Sequence, residues 1–346
     1  MKHDAYKEAG VDINAAMQTK DHIKDMVRST FGPEVLTDIG SFGGLFKPDF
    51  SGIREPVLVA SADGVGTKLK VAQKTGRHDT VGADLVNHCC NDILAMGARP
   101  LFFLDYLAYS RHDDQMVRSI IYGITEACRT NRCALIGGEM AELPDVYHGD
   151  EYDLAGVIIG TVGQYDILDS SRVCEGDIIL GMASTGLHTN GYSLARKLVF
   201  QTAELKPDDI LPGTGETVAD ALLAVHRSYV TSLLPLVNHE NLHAMAHITG
   251  GGFPGNVGRA LPGHLDAVID LDSWEVPSLF RFLADTGKLS EDELFRTFNM
   301  GIGMVVIVAQ EDAEGLAESL RSSGEVVYKI GQTSAGSQEV RLVHGS

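Results

Sequence analysis

The run Ala60-Ser61-Ala62-Asp63-Gly64-Val65-Gly66-Thr67-Lys68 brings a carboxylate, two glycines, a hydroxyl and an ammonium into close succession. Glycines let successive backbone amides turn inward around an anion, Lys68 adds positive charge, and Asp63 is placed to hold a metal that bridges phosphates. Gly64, Gly66, Thr67 and Lys68 are therefore candidate phosphate contacts. An ordinary strand-to-loop turn with Asp63 as a cap fits the same residues. A Walker A loop does not, because Lys68 follows Thr67 instead of preceding a hydroxyl residue.

A second group recurs at helical spacing. Asp84, His88, Asn91 and Asp92 form one polar stripe in an otherwise apolar stretch. Short polar residues are poor helix formers, so this stripe suits a site that grips a ligand or metal; a solvent-facing stripe is the alternative. Asp105 and Glu139 close two apolar runs. Ligands of open α/β sheets gather at the carboxyl ends of strands, so Asp63, Asp92, Asp105 and Glu139 are expected to converge on one cleft. Carboxylates crowded together require a cation, which makes Asp63 and Asp92 candidate Mg²⁺ ligands.

The second half carries Ser184-Thr185-Gly186-Leu187-His188-Thr189-Asn190-Gly191-Tyr192-Ser193. Thr189 or Asn190 is expected to cap the helix that follows, with His188 beside its positive end. Gly250-Gly251-Gly252-Phe253-Pro254-Gly255 matches the dinucleotide pattern G-x-G-x-x-G, and Asp270 lies at the matching distance. Pro262 follows too soon for a full crossover helix, which favours a phosphate or backbone-approach loop over NAD binding. Gly40-Ser41-Phe42-Gly43-Gly44 reads as a flap over a substrate or a plain connection.

These residues need a scaffold. Short β-branched and aromatic runs predict strands over 56–60, 101–108, 133–136 and 154–162, with helices over 80–96 and 113–130 between them. Gly137-Gly138 reads as a turn. A second series follows, with strands over 177–184, 244–249, 267–271, 303–310, 326–330 and 340–343, and helices over 192–200, 218–236 and 312–322. The expected architecture is an α/β (α+β) chain of two domains, 1–168 and 169–346, with the boundary near 163–171.

Composition narrows the function classes. The chain has 346 residues and a formal net charge of −19, which disfavours nucleic acid and anionic membrane surfaces as partners. Five cysteines show no C-x-x-C ligand spacing and read as reduced core thiols. No apolar run approaches the ~20 residues that span a bilayer, so a cytoplasmic location is expected.

The motifs taken in order resemble the phosphoribosylformylglycinamidine cyclo-ligases, or aminoimidazole ribonucleotide synthetases. The resemblance runs from Tyr6-Lys7-Glu8-Ala9-Gly10-Val11-Asp12-Ile13 through Asp63 to Lys68, Asn91-Asp92, Pro100 to Tyr106, Gly137-Gly138-Glu139, Tyr147-His148-Gly149, His188 to Leu194, Gly250 to Gly252, and Phe298-Asn299-Met300-Gly301-Ile302-Gly303-Met304. It implies a homodimer whose amino-terminal sheets pair into a shared barrel, with carboxyl-terminal α/β domains outside. It also implies ATP-dependent, Mg²⁺-assisted closure of an imidazole ring on the small-molecule substrate formylglycinamidine ribonucleotide.

By this resemblance Lys24, Asp63, Asp92, Glu139 and His188 are the catalytic positions. Asp105, Gly250, Gly251 and Gly252 join the phosphate loop as nucleotide contacts, and Gly43, Gly44, Thr189, Asn190 and Gly191 are assigned to substrate. Met140, Ser61-Ala62 and Phe253-Pro254-Gly255 depart from the family pattern at the loops. Another phosphoryl-activating member of the superfamily, or a noncatalytic nucleotide sensor, is the alternative; selenophosphate synthetase fits less well, since no Cys precedes Cys89.

Overall fold

A computed structural model describes residues 13–345, so the Tyr6–Asp12 part of the amino-terminal motif lies outside the described residues. Helix α1 (Ile13–Arg28) leads to β1 (Pro56–Gly64), α2 (Leu69–Thr75), α3 (Val81–Leu94), β2 (Arg99–Tyr109), α4 (Asp114–Thr130), β3 (Ala134–Glu142) and β4 (Tyr152–Gly163). The four strands form one sheet in the order β1-β4-β2-β3. Only β2 and β3 run parallel, joined by α4 as the crossover helix. Asp113 caps α4 by accepting the Met116 N–H, as its place before an apolar-periodic run predicts.

Alternation along the strands divides this sheet into two faces. Ser61, Phe103, Leu107 and Ile158 face α3 and α4. Leu58, Phe102, Leu104, Tyr106, Val157 and Ile159 face the other way, where the Phe46 ring packs on Phe102 with centroids 5.1 Å apart but Leu58 is 62% exposed. The sheet is open and closes no barrel within one chain.

The second series opens with β5 (Ile178–Ala183), α5 (Tyr192–Arg196), α6 (Val218–Leu223), α7 (Val230–Leu233) and β6 (Leu242–His247). It continues through α8 (Gly252–Val257), β7 (Leu265–Asp270), α9 (Ser278–Gly287), α10 (Glu291–Thr297), β8 (Ile302–Val308), α11 (Ala313–Ser322), β9 (Val327–Ala335) and β10 (Val340–Val343). Its six strands are ordered β10-β7-β9-β5-β8-β6. β8 is buried along its whole length, in keeping with its unbroken apolar run. Among the described residues no helix is long and apolar enough to cross a membrane.

Two local expectations are corrected, and a third feature agrees with the reading against NAD binding. Gly137-Gly138 is not a turn: both glycines lie inside β3, where Gly138 lets Asp105 approach, since a Cβ there would meet Asp105 Oδ1 at 2.1 Å. The helix expected over 218–236 is broken, because Ala224 leaves the helical region at φ −48°, ψ 127° and residues 224–229 form no regular element. The glycine triplet does not open a dinucleotide unit, because β6 is an edge strand antiparallel to β8, α8 is short, and β7 with Asp270 lies across the sheet.

Candidate active site

The polar stripe of α3 explains the broken helix. Asp84 accepts the His226 N–H, Asn87 donates to the His226 carbonyl, Asn91 donates to the Arg227 carbonyl, and Asn91 Oδ1 accepts the Tyr229 N–H. The backbone of 226–229 thus satisfies its polar groups on α3 instead of on its own helix. The stripe faces the second half of the chain and not solvent: Asp84, His88 and Asn91 are buried, and Asp92 is the partly exposed member.

Asp63, at the end of β1, meets this stripe. His88 Nε2 lies 2.8 Å from Asp63 Oδ2 and 3.8 Å from Asp92 Oδ2. Asp92 accepts from Ser61 Oγ at 3.1 Å and pairs with His247 Nδ1 at 2.8 Å. Beyond them, His88 Nδ1 meets Thr189 Oγ1 at 2.7 Å, Thr189 meets His226 Nδ1 at 3.3 Å, and the Nε2 atoms of His226 and His247 are 2.9 Å apart. A continuous polar ring therefore joins the two carboxylates through three histidines.

Charge follows the ring. Partial burial raises both carboxyls, but the bonds and charge of His88 for Asp63, and of His247 and His88 for Asp92, outweigh it and hold both below the ordinary range. Burial lowers His88, yet Asp63 and Asp92 outweigh that and leave it raised above the ordinary imidazole value. Burial, reinforced by neighbouring cations, keeps His188 and His226 well below their ordinary value, and hence neutral.

Lys68 is a correction. It is completely buried; Nζ donates to Asp84 Oδ1 at 2.8 Å, Ala224 O at 2.7 Å and His188 O at 3.2 Å. Its three hydrogens are thus used inside the protein, and none is left for a phosphate. Asp84 Oδ2, also 2.8 Å from Nζ, is held by charge without a hydrogen of its own. Desolvation draws Asp84 up and Lys68 down against their mutual attraction.

His188 also lies deeper than expected. It stacks on His226 with ring centroids 4.0 Å apart, its Nε2 accepts the Thr185 and Arg227 N–H groups, and its Nδ1 is buried without a partner. Neither Thr189 nor Asn190 caps α5; Gly191 occupies that position, at φ 76°, and Thr189 serves the histidine ring instead. Gly64, Gly66 and Thr67 border the opening, with Gly66 and Thr67 exposed and Thr67 Oγ1 3.1 Å from Ser193 Oγ. Gly250 lies against Asn190, whereas Gly252 is needed for packing, because a Cβ there would meet the Phe295 carbonyl oxygen at 1.8 Å.

The four acidic residues do not meet at one point. Asp63, Gly156, Asp105 and Gly138 form one row across β1, β4, β2 and β3. Asp105 is thus two strand spacings from Asp63, about 10 Å, and Glu139 lies exposed on the edge strand beyond. Burial, with the charge of Glu139, pushes the Asp105 carboxyl up to about 7. Lys24 lies on α1, which packs on α4 and β3, and its charge acts on Asp38; Gly44 sits at the β3 edge, where its Cβ would meet the Ile136 carbonyl at 2.7 Å, and Gly43 beside it is exposed. His226 and His247 escaped sequence reading. His247 lies three residues before the Gly250–Gly255 run already singled out, and that proximity was the available signal.

Comparison with known proteins adds lineage to this geometry. Residues 52–162 match the family model "AIR synthase related protein, N-terminal domain", and residues 175–344 match its C-terminal counterpart. A phosphoribosylformylglycinamidine cyclo-ligase from Citrifermentans bemidjiense is 49% identical over 341 residues, 98% of each chain. The chain belongs to the phosphoribosylformylglycinamidine cyclo-ligase family. Cyclo-ligases from Geotalea uraniireducens, 48% identical over 98% of each chain, and Alkaliphilus oremlandii, 46% identical over 97% of this chain and 99% of that one, agree.

Solved structures show how far the cyclo-ligase fold extends. Thiamine-monophosphate kinase from Stenotrophomonas maltophilia superposes with a TM-score of 0.67 at 20% identity, covering 92% of this chain and 95% of that one. The hydrogenase maturation protein HypE in complex with ATP gives 0.68 at 17% identity, covering 97% and 93%. At these identities the likeness concerns the two-domain α/β fold alone.

Proposed function

We propose that the protein closes the imidazole ring of 5-aminoimidazole ribonucleotide from formylglycinamidine ribonucleotide, consuming ATP and releasing ADP and phosphate in purine biosynthesis. Full-length relatedness to the cyclo-ligases supports the reaction class. The observation that carries it to this site is the pair of ionised, partly exposed carboxylates, Asp63 and Asp92, beside the Gly64–Thr67 turn.

The reaction needs a leaving group where the substrate has a formamide oxygen. That oxygen attacks the γ-phosphorus of ATP, forming an O–P bond as the bond to the ADP oxygen breaks. An amidine nitrogen then attacks the formyl carbon, and phosphate departs with the former formyl oxygen as the nitrogen sheds its proton. Phosphoryl transfer is mostly positioning and charge neutralisation. Asp63 and Asp92 fit Mg²⁺: both are held ionised, and each carboxylate retains lone pairs beyond its bonds to Gly64, His88, Ser61 and His247. When bound, Mg²⁺ would screen the phosphate charge there.

Gly64, Gly66, Thr67, Gly250 and Gly251 are assigned to the phosphates, and Asn190 and Gly191 to substrate. His188 is assigned to positioning, because its accepting nitrogen is occupied by backbone amides. Lys24, Glu139, Gly43 and Gly44 are assigned to catalysis and substrate on family resemblance. Residues 1–168 would bind nucleotide and dimerise, and 169–346 would complete the site.

The partly exposed apolar face supports a homodimer whose two sheets meet there; Leu104→Lys should convert it to monomer in sedimentation experiments. A coupled assay for ADP, with purified protein and formylglycinamidine ribonucleotide, tests the reaction. Folded, ATP-binding protein that releases no ADP with that substrate would refute it.

A further inference from the structure

Ring closure leaves the imidazoles around Asp92 without a task. Buried histidines are costly to gather, and here two of them aim ring nitrogens at the same partly exposed carboxylate. One donor atom each from His88, Asp92 and His247 lies within 4.8 Å of the others. His247 Nδ1 is 2.8 Å from Asp92 Oδ1, and His88 Nε2 is 3.8 Å from Asp92 Oδ2 and 2.8 Å from Asp63 Oδ2. An ion with bonds of roughly 2.0–2.2 Å sets neighbouring ligand atoms about 3.0–3.5 Å apart. The observed separations bracket that range.

The far sides of the two rings strengthen the reading. A histidine that ligates a metal through one nitrogen presents the other N–H to a fixed acceptor. His88 Nδ1 faces Thr189 Oγ1 at 2.7 Å, and His247 Nε2 faces His226 Nε2 at 2.9 Å. One proton arrangement serves both. His247 Nε2–H donates to His226 Nε2, and His226 Nδ1–H and His88 Nδ1–H both donate to the two lone pairs of Thr189. Binding an ion would displace the protons that His88 Nε2 and His247 Nδ1 share with Asp63 and Asp92, leaving both nitrogens facing the metal. Asn91 Nδ2, 3.3 Å from His226 Nε2, also donates to that nitrogen, which holds the His226 tautomer in place.

Two imidazoles with carboxylate select borderline transition metals, whereas Mg²⁺ prefers an all-oxygen shell. We propose that His88, His247 and Asp92, with Asp63 alongside, form a site for a divalent transition-metal ion such as Zn²⁺, with Thr189 and His226 orienting the two imidazoles. The donor set differs from that proposed for Mg²⁺ by its two imidazoles, although both draw on Asp92 and Asp63.

The test uses the full chain, freed of metal by chelator and without nucleotide, so it does not depend on the reaction assignment. Titration calorimetry with Zn²⁺ should find one ion per chain at this site, and Co²⁺ should give visible ligand-field bands that Zn²⁺ abolishes. His247→Gln and His88→Asn should each weaken binding by more than about tenfold and remove the bands. Thr189→Val, which touches no ion, should weaken Zn²⁺ by about tenfold. Absence of stoichiometric binding overturns the proposal, as does binding that is unchanged in the histidine variants. Should those variants fail to fold, Thr189→Val decides, and unaltered affinity there refutes it.

Discussion

Lys68→Met separates two roles that sequence alone leaves tangled. If Lys68 neutralised phosphate, its loss would weaken ATP and leave the fold nearly untouched. The structure instead gives it no solvent exposure and three internal acceptors on Asp84, Ala224 and His188. Methionine keeps most of the volume but leaves Asp84 buried without its counter-charge. Removing one partner of a buried ion pair costs roughly 3–5 kcal/mol. Against a domain stability of about 5–15 kcal/mol, the variant should fold but unfold at much lower urea. Adding Asp84→Asn removes the orphan charge, while the Asn oxygen still accepts the His226 N–H, so the double variant should recover about 1–3 kcal/mol. Urea denaturation of the wild type, both single variants and the double variant gives this coupling directly. A Lys68→Met protein of unaltered stability with lost ATP affinity would refute the reasoning, as would a double variant less stable than either single one.

Asp105 should make stability fall as pH rises. Its folded value of about 7, against an ordinary 3.8, means that between those values the native state holds a proton the unfolded chain has lost. Stability should decline through that window by up to about 1.4 kcal/mol per pH unit, of order 4 kcal/mol in all, and level off above it. Asp105→Asn should flatten the profile in denaturation experiments at pH 4.5 and 8 alike. Gly303→Ala should destabilise by about 1–3 kcal/mol and slow ADP release, because the added Cβ would lie 2.2 Å from Tyr229 Oη and 2.4 Å from His188 Cε1; melting curves and the coupled assay check both.

Much of the scaffold was readable because apolar period and burial coincide. β1, β2, β4, α3 and α4 follow from runs whose hydrophobic residues face one core, and the Asp113 cap marks the start of α4. The 218–236 segment failed because its period is helical while its backbone is claimed by Asp84, Asn87 and Asn91 from a distant helix. Local propensity carries no record of such partners. Gly137-Gly138 failed for a related reason: paired glycines usually mark a turn, but here one admits the Asp105 side chain into a strand row. The sequence pointed to Asp63, His88 and Asp92, yet Lys68 looked like a phosphate ligand because burial across a domain junction leaves no trace in spacing.

That junction explains why α3 carries so many short polar residues. An apolar stripe would join the two halves just as tightly but would tolerate sliding, since hydrophobic contact is not directional. Here most of the buried polar atoms have a designated partner. Lys68 and Asp84 secure the backbone at Ala224, His188 and His226, Asn91 both donates to and accepts from the 227–229 backbone, and His88 reaches Thr189. A displacement of one residue would strand several buried donors at about 1–3 kcal/mol each. The alignment that sets His247 against Asp92 is therefore fixed in large part by Lys68, Asp84 and Asn91, which lie behind the opening. Buried polarity on α3 supplies the register, and the partly exposed carboxylates at its mouth supply the chemistry.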